Sequence, residues 1–384
     1  MNEKENKKRI SPAYILTLVI CIGIGALSGL LIPHYFDSVP ENHTTAAALA
    51  ILVVWVVVAI YTAIILHEGG HLVFGLLTGY RFSSFRIGSL MLVKINGNLK
   101  FKRHTLAGTG GQCLLAPPEI KDGKMPHVLY NLGGVVSNLM FAAAFSALAF
   151  ITKDKVYLCA LFVTLSVVNL ALCISNAIPM STGTIDNDGK NAISLGKNPV
   201  AMRAMWIQLM INAETANGKR LSEMPEEWFA LPCEEDISNA LVASLITFHE
   251  NRLIDMRRLD EALNIIVRYK NTPSLPGIYR ALMTMDEMTV RALNGEDYAS
   301  VACLFTKEVH SIMNAMKTFP TVLRTKYIFA LLMENNTASA EKLLAAFEKM
   351  KKSYPYATDI KAEEALMDMA RAEFEKDRLS DSEE

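Results

Sequence analysis

The sequence predicts an all-α polytopic membrane protein with about four transmembrane helices and a cytoplasmic-face β-hairpin, followed by a soluble α-helical repeat-like domain. Three features point there. Hydrophobic residues make up 51% of the 384, and nearly all of the excess lies before Pro179. Four runs in that half are long enough to cross a bilayer, which takes about 20 apolar residues at 1.5 Å each. The acidic and basic residues cluster later, among amphipathic helical stretches. The division falls between a membrane-embedded domain, residues 1–198, and a cytoplasmic helical domain, residues 199–384.

The first run, 13–32, follows Lys4, Lys7, Lys8 and Arg9. It exceeds the apolar core of a signal peptide and has no small-x-small site before Pro33, so it reads as a retained first span. The others are 46–66 with a continuation to 77, 128–151 and 156–178, and none of the four contains Lys or Arg. The loop 33–45 holds Asp37 and Glu41 and no Lys or Arg, whereas 80–125 holds Arg81, Arg86, Lys94, Lys100, Lys102, Arg103, Lys121 and Lys124. The positive-inside rule then puts both termini and the 80–125 loop on the cytoplasmic side of the cell membrane.

Within that loop, strand-forming runs at 85–93 and 99–101 flank Asn96-Gly97-Asn98, the signature of a hairpin. Gly108, Gly110, Gly111 and the Pro117-Pro118 pair then interrupt regular structure. Lys100, Lys102 and Arg103 make a juxtamembrane basic patch suited to anionic lipid. Beyond Pro199, helices are expected at 236–253, 259–269, 277–294, 299–316, 320–333, 338–352 and 360–375. Paired helices of this kind resemble tetratricopeptide repeats, with an irregular bundle as the other arrangement, and offer a surface to a cytoplasmic protein partner.

Lys and Arg total 38 against 39 Asp and Glu, a net charge of -1, so no basic field argues for nucleic acid. The six cysteines are scattered, three of them in apolar runs, and form neither a disulfide framework nor a Cys-rich metal site. His34, His43, His104 and His127 have no partner at ligand spacing and read as surface residues.

The chemistry-bearing feature is His67-Glu68-Gly69-Gly70-His71 at the end of the second span. Positions i and i+4 of a helix share a face, so two imidazoles can hold one Zn²⁺ while Glu68 reaches water beside the metal. Ionisable groups at the edge of a membrane helix are costly unless they bind or pair. A catalytic zinc site takes three protein ligands and leaves one position open. After two more crossings the chain returns to the same membrane face at Asn176-Ala177-Ile178-Pro179, followed by Asp186 and Asp188. Either aspartate can be the third ligand.

Three signatures now stand in order: His67 to His71, then Gly133-Gly134 with Ser137-Asn138, then Asn176 to Pro179 with Asp188-Gly189. Over about residues 45 to 195 the chain resembles the site-2 protease family of intramembrane zinc metalloproteases. The resemblance implies Zn²⁺ on His67, His71 and Asp188, the aspartate that directly precedes a glycine. Glu68 would be the general base, with Asn138 and Asn176 orienting substrate or lining the site. The substrate would be a membrane-anchored protein or peptide, cut in or next to its transmembrane segment. Two departures stand out: residues 180–187 separate the proline from Asp188, and Val135-Val136 replace a familiar Gly-Pro.

A catalytically inactive membrane scaffold recruiting partners through its cytoplasmic helices is the competing reading. Against it, base and both histidines are intact together. A zinc-gated transporter would need polar residues spread along several spans, and the first, third and fourth offer few. The resemblance also suggests that the hairpin's edge adds a substrate strand, with Leu92 at a central strand position.

Overall fold

A computed structural model of the protein describes Ile22, Tyr35 and residues 44–105, 109–182 and 185–383. The chain divides into two compact units, Met1–Tyr80 with Lys124–Asn198, and Arg81–Gly123 with Pro199–Glu384. The strands of the 81–123 segment thus belong with the C-terminal helices.

The first unit is built on α1 (Thr45–Leu77), α2 (His127–Ile151) and α3 (Val156–Ala177), three helices long and apolar enough to cross a membrane. Apart from Ile22, the expected span at 13–32 lies outside the described residues. Thr44 caps α1, its hydroxyl accepting from the Ala47 amide. Val53, Val54, Leu139 and Phe150 are exposed, which gives these helices an apolar outer surface. Inside the bundle, small residues let backbones meet, and a Cβ on Gly70 would stand 2.2 Å from the Gly133 carbonyl oxygen. Hydroxyls join the helices as well: Ser137 donates to Leu66 O at 2.7 Å, and Ser146 and Ser166 share a hydrogen bond of 2.7 Å. After α3 come the two-residue strands β5 (Ser181–Thr182) and β6 (Ile185–Asp186), then the short helix α4 (Asp188–Ser194).

The second unit opens on an antiparallel sheet of β1 (Arg81–Ile87), β2 (Leu90–Ile95), β3 (Asn98–Arg103) and β4 (Gly111–Ala116), in spatial order β3-β2-β1-β4. Asn96 and Gly97, at φ of 49° and 83°, form the two-residue turn between β2 and β3. Positive φ at both central positions is what Asn-Gly supplies in a type I′ hairpin. The run 85–93, expected as one strand, instead turns at Gly88-Ser89 and contributes to both β1 and β2. Gly88 adopts φ 56°, and the chain reverses there. Leu92 therefore sits in a strand paired on both sides, and among the described residues the open edges of the sheet are β3 and β4. Met91 and Val93 point into the core formed with the helices, alongside Phe347 and Tyr354.

The helices of this unit are α5 (Pro199–Ala216), α6 (Ala240–Asp255), α7 (Leu259–Tyr269), α8 (Gly277–Leu293), α9 (Tyr298–Ala302), α10 (Lys307–Ala315), α11 (Pro320–Ile328), α12 (Thr337–Lys351) and α13 (Ala357–Glu383). Helix α5 was not among the expected ones. The stretch 299–316 is broken between Ala302 and Lys307, where the Thr306 hydroxyl caps α10 by accepting from the Val309 amide. Residues Phe329–Met333 continue α11 in π geometry. His104, expected at the surface, packs edge-on to Tyr354 with ring centroids 5.5 Å apart. Burial, helped by Arg86, lowers its pKa to about 4.

Arg324 is the largest polar investment of the helical core, being 1% exposed. Its guanidinium donates to Glu363 at 2.7 Å and also to Asp286 and Thr289. Removing one partner from such a cluster leaves buried charge without compensation, which costs about 3–5 kcal/mol. Arg324→Ala is accordingly expected to destabilise the protein by about that amount, read as a lowered unfolding midpoint in detergent, whereas the exposed Lys376→Ala is expected to leave the midpoint unchanged.

Candidate metal centre

One turn apart on α1, His67 and His71 present their rings to the same side. Both are buried, and their Nε2 atoms stand 3.2 Å apart. Asp188 Oδ2, at the start of α4, is 3.1 Å from His67 Nε2 and 3.5 Å from His71 Nε2. Among the described residues, no other group of three or more His, Cys, Asp or Glu converges so closely.

The far side of each ring fixes its tautomer. His71 Nδ1 is 2.7 Å from the Tyr130 carbonyl oxygen, which can only accept, so the proton sits on Nδ1. His67 Nδ1 is 3.0 Å from Asn138 Oδ1. That amide cannot be turned round, because Asn138 Nδ2 donates to Ala63 O at 3.3 Å and to Asn169 Oδ1 at 3.1 Å. Asn169 is held in turn by its Nδ2 bond to Leu165 O at 2.8 Å. Both Nε2 atoms consequently offer lone pairs to the same point. Asp188 Oδ2 is buried there without a hydrogen-bond donor in the conventional sense, facing those two nitrogens.

Three lone-pair donors aimed together repel one another unless a cation lies between them. Zn–N and Zn–O bonds of about 2.0–2.1 Å in a tetrahedron separate neighbouring donors by about 3.3–3.4 Å. The observed separations of 3.1, 3.2 and 3.5 Å bracket that value, so the residues present fit zinc.

Local sequence explains how the pieces meet. The His67 ring lies against Gly134, where a Cβ would come within 2.6 Å of it. Gly189 lets α4 close on the end of α3, since a Cβ there would meet Ala177 O at 2.2 Å. The spacer 180–187 does not carry Asp188 away, because Ser181 pairs with Asp186 and the chain doubles back. Asn187 fastens the return: its Nδ2 donates to Ser175 O at 2.9 Å and Ile178 O at 2.7 Å, and its Oδ1 accepts from the Met180 and Lys190 amides. Asp186 is turned elsewhere, accepting from Ser181 Oγ at 2.5 Å and pairing with Lys190 at 3.1 Å.

Glu68 is buried on α1 and bears electrostatically on His71. Asn176 donates to Leu172 O within its own helix at 3.0 Å, and its backbone lies beside Gly189. His127 is not a surface residue: it is buried, with Nδ1 3.1 Å from Met125 O and Nε2 3.2 Å from Ala192 O. Asn169 and Asn187 were not foreseen, although a lone Asn amid apolar residues and an Asn just before an acidic helix start are both signals.

The fold supplies three helices long and apolar enough to cross a membrane, and the site a buried His67, His71 and Asp188 cluster able to coordinate a metal ion. Compared with known proteins, the chain matches no family model, no curated protein and no solved structure.

Asn138→Leu removes the acceptor that orients His67, and loss of such a partner weakens metal binding about 10- to 100-fold. That loss is expected in a chelator competition on the purified protein. In the same assay Gly134→Ala is expected to bind zinc poorly, because the added methyl displaces the His67 ring, while Gly69→Ala, with nothing within 4 Å of its Cβ, keeps its metal.

Proposed function

We propose that the protein is a zinc-dependent intramembrane endopeptidase of the site-2 protease type, hydrolysing peptide bonds in or next to the transmembrane segments of membrane-anchored proteins or peptides. The observation that carries this reading is the convergence of His67 Nε2, His71 Nε2 and Asp188 Oδ2 at tetrahedral spacing on the edge of a membrane-length helix. Zinc held there supplies Lewis acidity, which acidifies water and polarises a carbonyl. Glu68, the residue after the first ligand, takes the proton from the attacking water and returns it to the leaving nitrogen. Asn138 keeps His67 in the tautomer that ligates. Asn176, at the α3 end that Gly189 packs on, is assigned the orienting of substrate backbone.

In this reading residues 1–198 catalyse within the bacterial cell membrane, with both termini in the cytoplasm. Residues 199–384 form a cytoplasmic repeat-like helical domain that selects substrate or recruits a protein partner. The low-dielectric surroundings of the trio strengthen the action of each charge on the reacting groups.

Purified protein should contain zinc, and His67→Ala, His71→Ala and Asp188→Ala should each lose both metal and cleavage of a membrane-anchored substrate. Glu68→Gln should keep the metal and lose cleavage, because it removes a base without removing a ligand. Asp186→Ala should retain both; an Asp186→Ala protein without zinc beside a fully loaded Asp188→Ala would refute the ligand set. A reporter fused after Glu384 should be found in the cytoplasm and one inserted near Glu41 outside it.

A further inference from the structure

The second unit holds a cavity of about 290 Å³ among α5, α6, α8, α11 and α13. Its polar lining is heavily acidic. Glu250, Asp286, Asp359 and Glu363 all face it, and the charge set among them is the Arg324 guanidinium. Arg220 and Lys219, at its border, are paired with Asp255 and Glu214.

Arg324 occupies Asp286 and Glu363, and leaves Glu250 out. Glu250 is 0% exposed, and neither carboxylate oxygen has an N–H or O–H donor from another residue type. It faces another carboxyl, Asp286, with which it can bond only by sharing a proton. Burial raises its carboxyl well above the usual range; Asp286 and Glu363 add to this and Arg324 opposes it. A second group lining the same cavity, the Thr358 hydroxyl on α13, is buried and has no hydrogen-bond partner. Buried polar groups are nearly always satisfied, so two around one cavity indicate that something supplies their partner.

The chemistry of that partner follows from the walls. A divalent metal is disfavoured, since no three carboxylates of this cavity converge as the His67, His71 and Asp188 atoms do. Tyr279, Leu282, Met283, Phe319 and Tyr354 make most of the remaining lining apolar and aromatic, which suits an alkyl stem and a cation against ring faces. A polyamine repeats its charge along the stem and would leave an ammonium among those walls. Once the proton it shares with Asp286 is displaced, the Glu250 carboxylate offers two oxygens to the fork of a guanidinium, which binds bidentately.

We propose that this cavity is a recognition pocket for a single arginine side chain of a peptide, with Glu250 receiving the guanidinium and Thr358 contributing a further hydrogen bond. Entry of the guanidinium displaces the proton shared by Glu250 and Asp286 to solvent, so one positive charge replaces another and the buried site stays balanced in charge. The pocket is independent of metal chemistry and requires no proteolysis.

The test is fluorescence anisotropy on the full chain in detergent micelles, with a labelled five-residue peptide carrying one arginine between alanines and glycines. Saturable binding is expected, at least tenfold weaker for the citrulline peptide, which keeps the shape and loses the charge. Glu250→Gln should weaken the arginine peptide at least tenfold and Thr358→Val severalfold, with His67→Ala unchanged. Equal binding of arginine and citrulline peptides, or no saturable binding, overturns the proposal on wild-type protein alone, whatever the stability of the variants. Binding lost in His67→Ala but kept in Glu250→Gln would place the peptide at the metal centre instead. Spermidine binding that depends on Glu250, without binding of the peptide, would make the ligand a free polyamine and overturn the peptide assignment.

Discussion

An imidazole whose Nδ1 proton is already donated can offer only a lone pair from Nε2, and in this protein two such lone pairs meet 3.2 Å apart beside a buried carboxylate oxygen. That arrangement is repulsive without a cation, because on those tautomers neither Nε2 carries a proton to share with the carboxylate. Much of the first unit is arranged around it. The Tyr130 carbonyl and Asn138 set the protons, Asn169 sets Asn138, and Gly70, Gly133 and Gly134 let α1 and α2 approach until the rings fit. A change in any of these acts on the site through geometry and leaves its ligand chemistry intact.

The third donor shows how a local device can absorb an insertion. Eight residues separate Pro179 from Asp188, and a flexible spacer of that length would pay for closing a loop each time the site formed. Here a two-strand ladder folds the spacer onto itself, three hydrogen bonds of the Asn187 side chain tie its end to the C-terminus of α3 and to the loop that follows, and a fourth caps α4 at the Lys190 amide. Asp188 therefore arrives beside His67 and His71 already oriented, while Asp186 is held by Ser181 and Lys190.

What the sequence disclosed depended on how local the signal was. His67 and His71 could be read directly, because their spacing is one helical turn and their setting is apolar. Leu259–Tyr269 likewise has unambiguous periodicity and forms where expected. The reversal at Gly88 was hidden inside a continuous run of strand-forming residues, where only the glycine's positive φ marks it. The break after Ala302 was masked because helical periodicity resumes within one turn. Asn169 and the cluster of Glu250, Asp286, Arg324 and Glu363 depend on partners 31 to 39 residues or more away, joined only by packing. Such pairings leave no periodic trace in a single chain, and neither does the association of the 81–123 strands with helices that begin at Pro199.

X-ray absorption at the zinc edge on the purified, metal-loaded protein tests the account most directly. The account predicts a first shell of nitrogen and oxygen alone at about 2.0–2.1 Å, with the outer-shell scattering of two imidazoles. A shell containing sulfur, one with a single imidazole or none, or a protein that takes up no zinc at all, would contradict it.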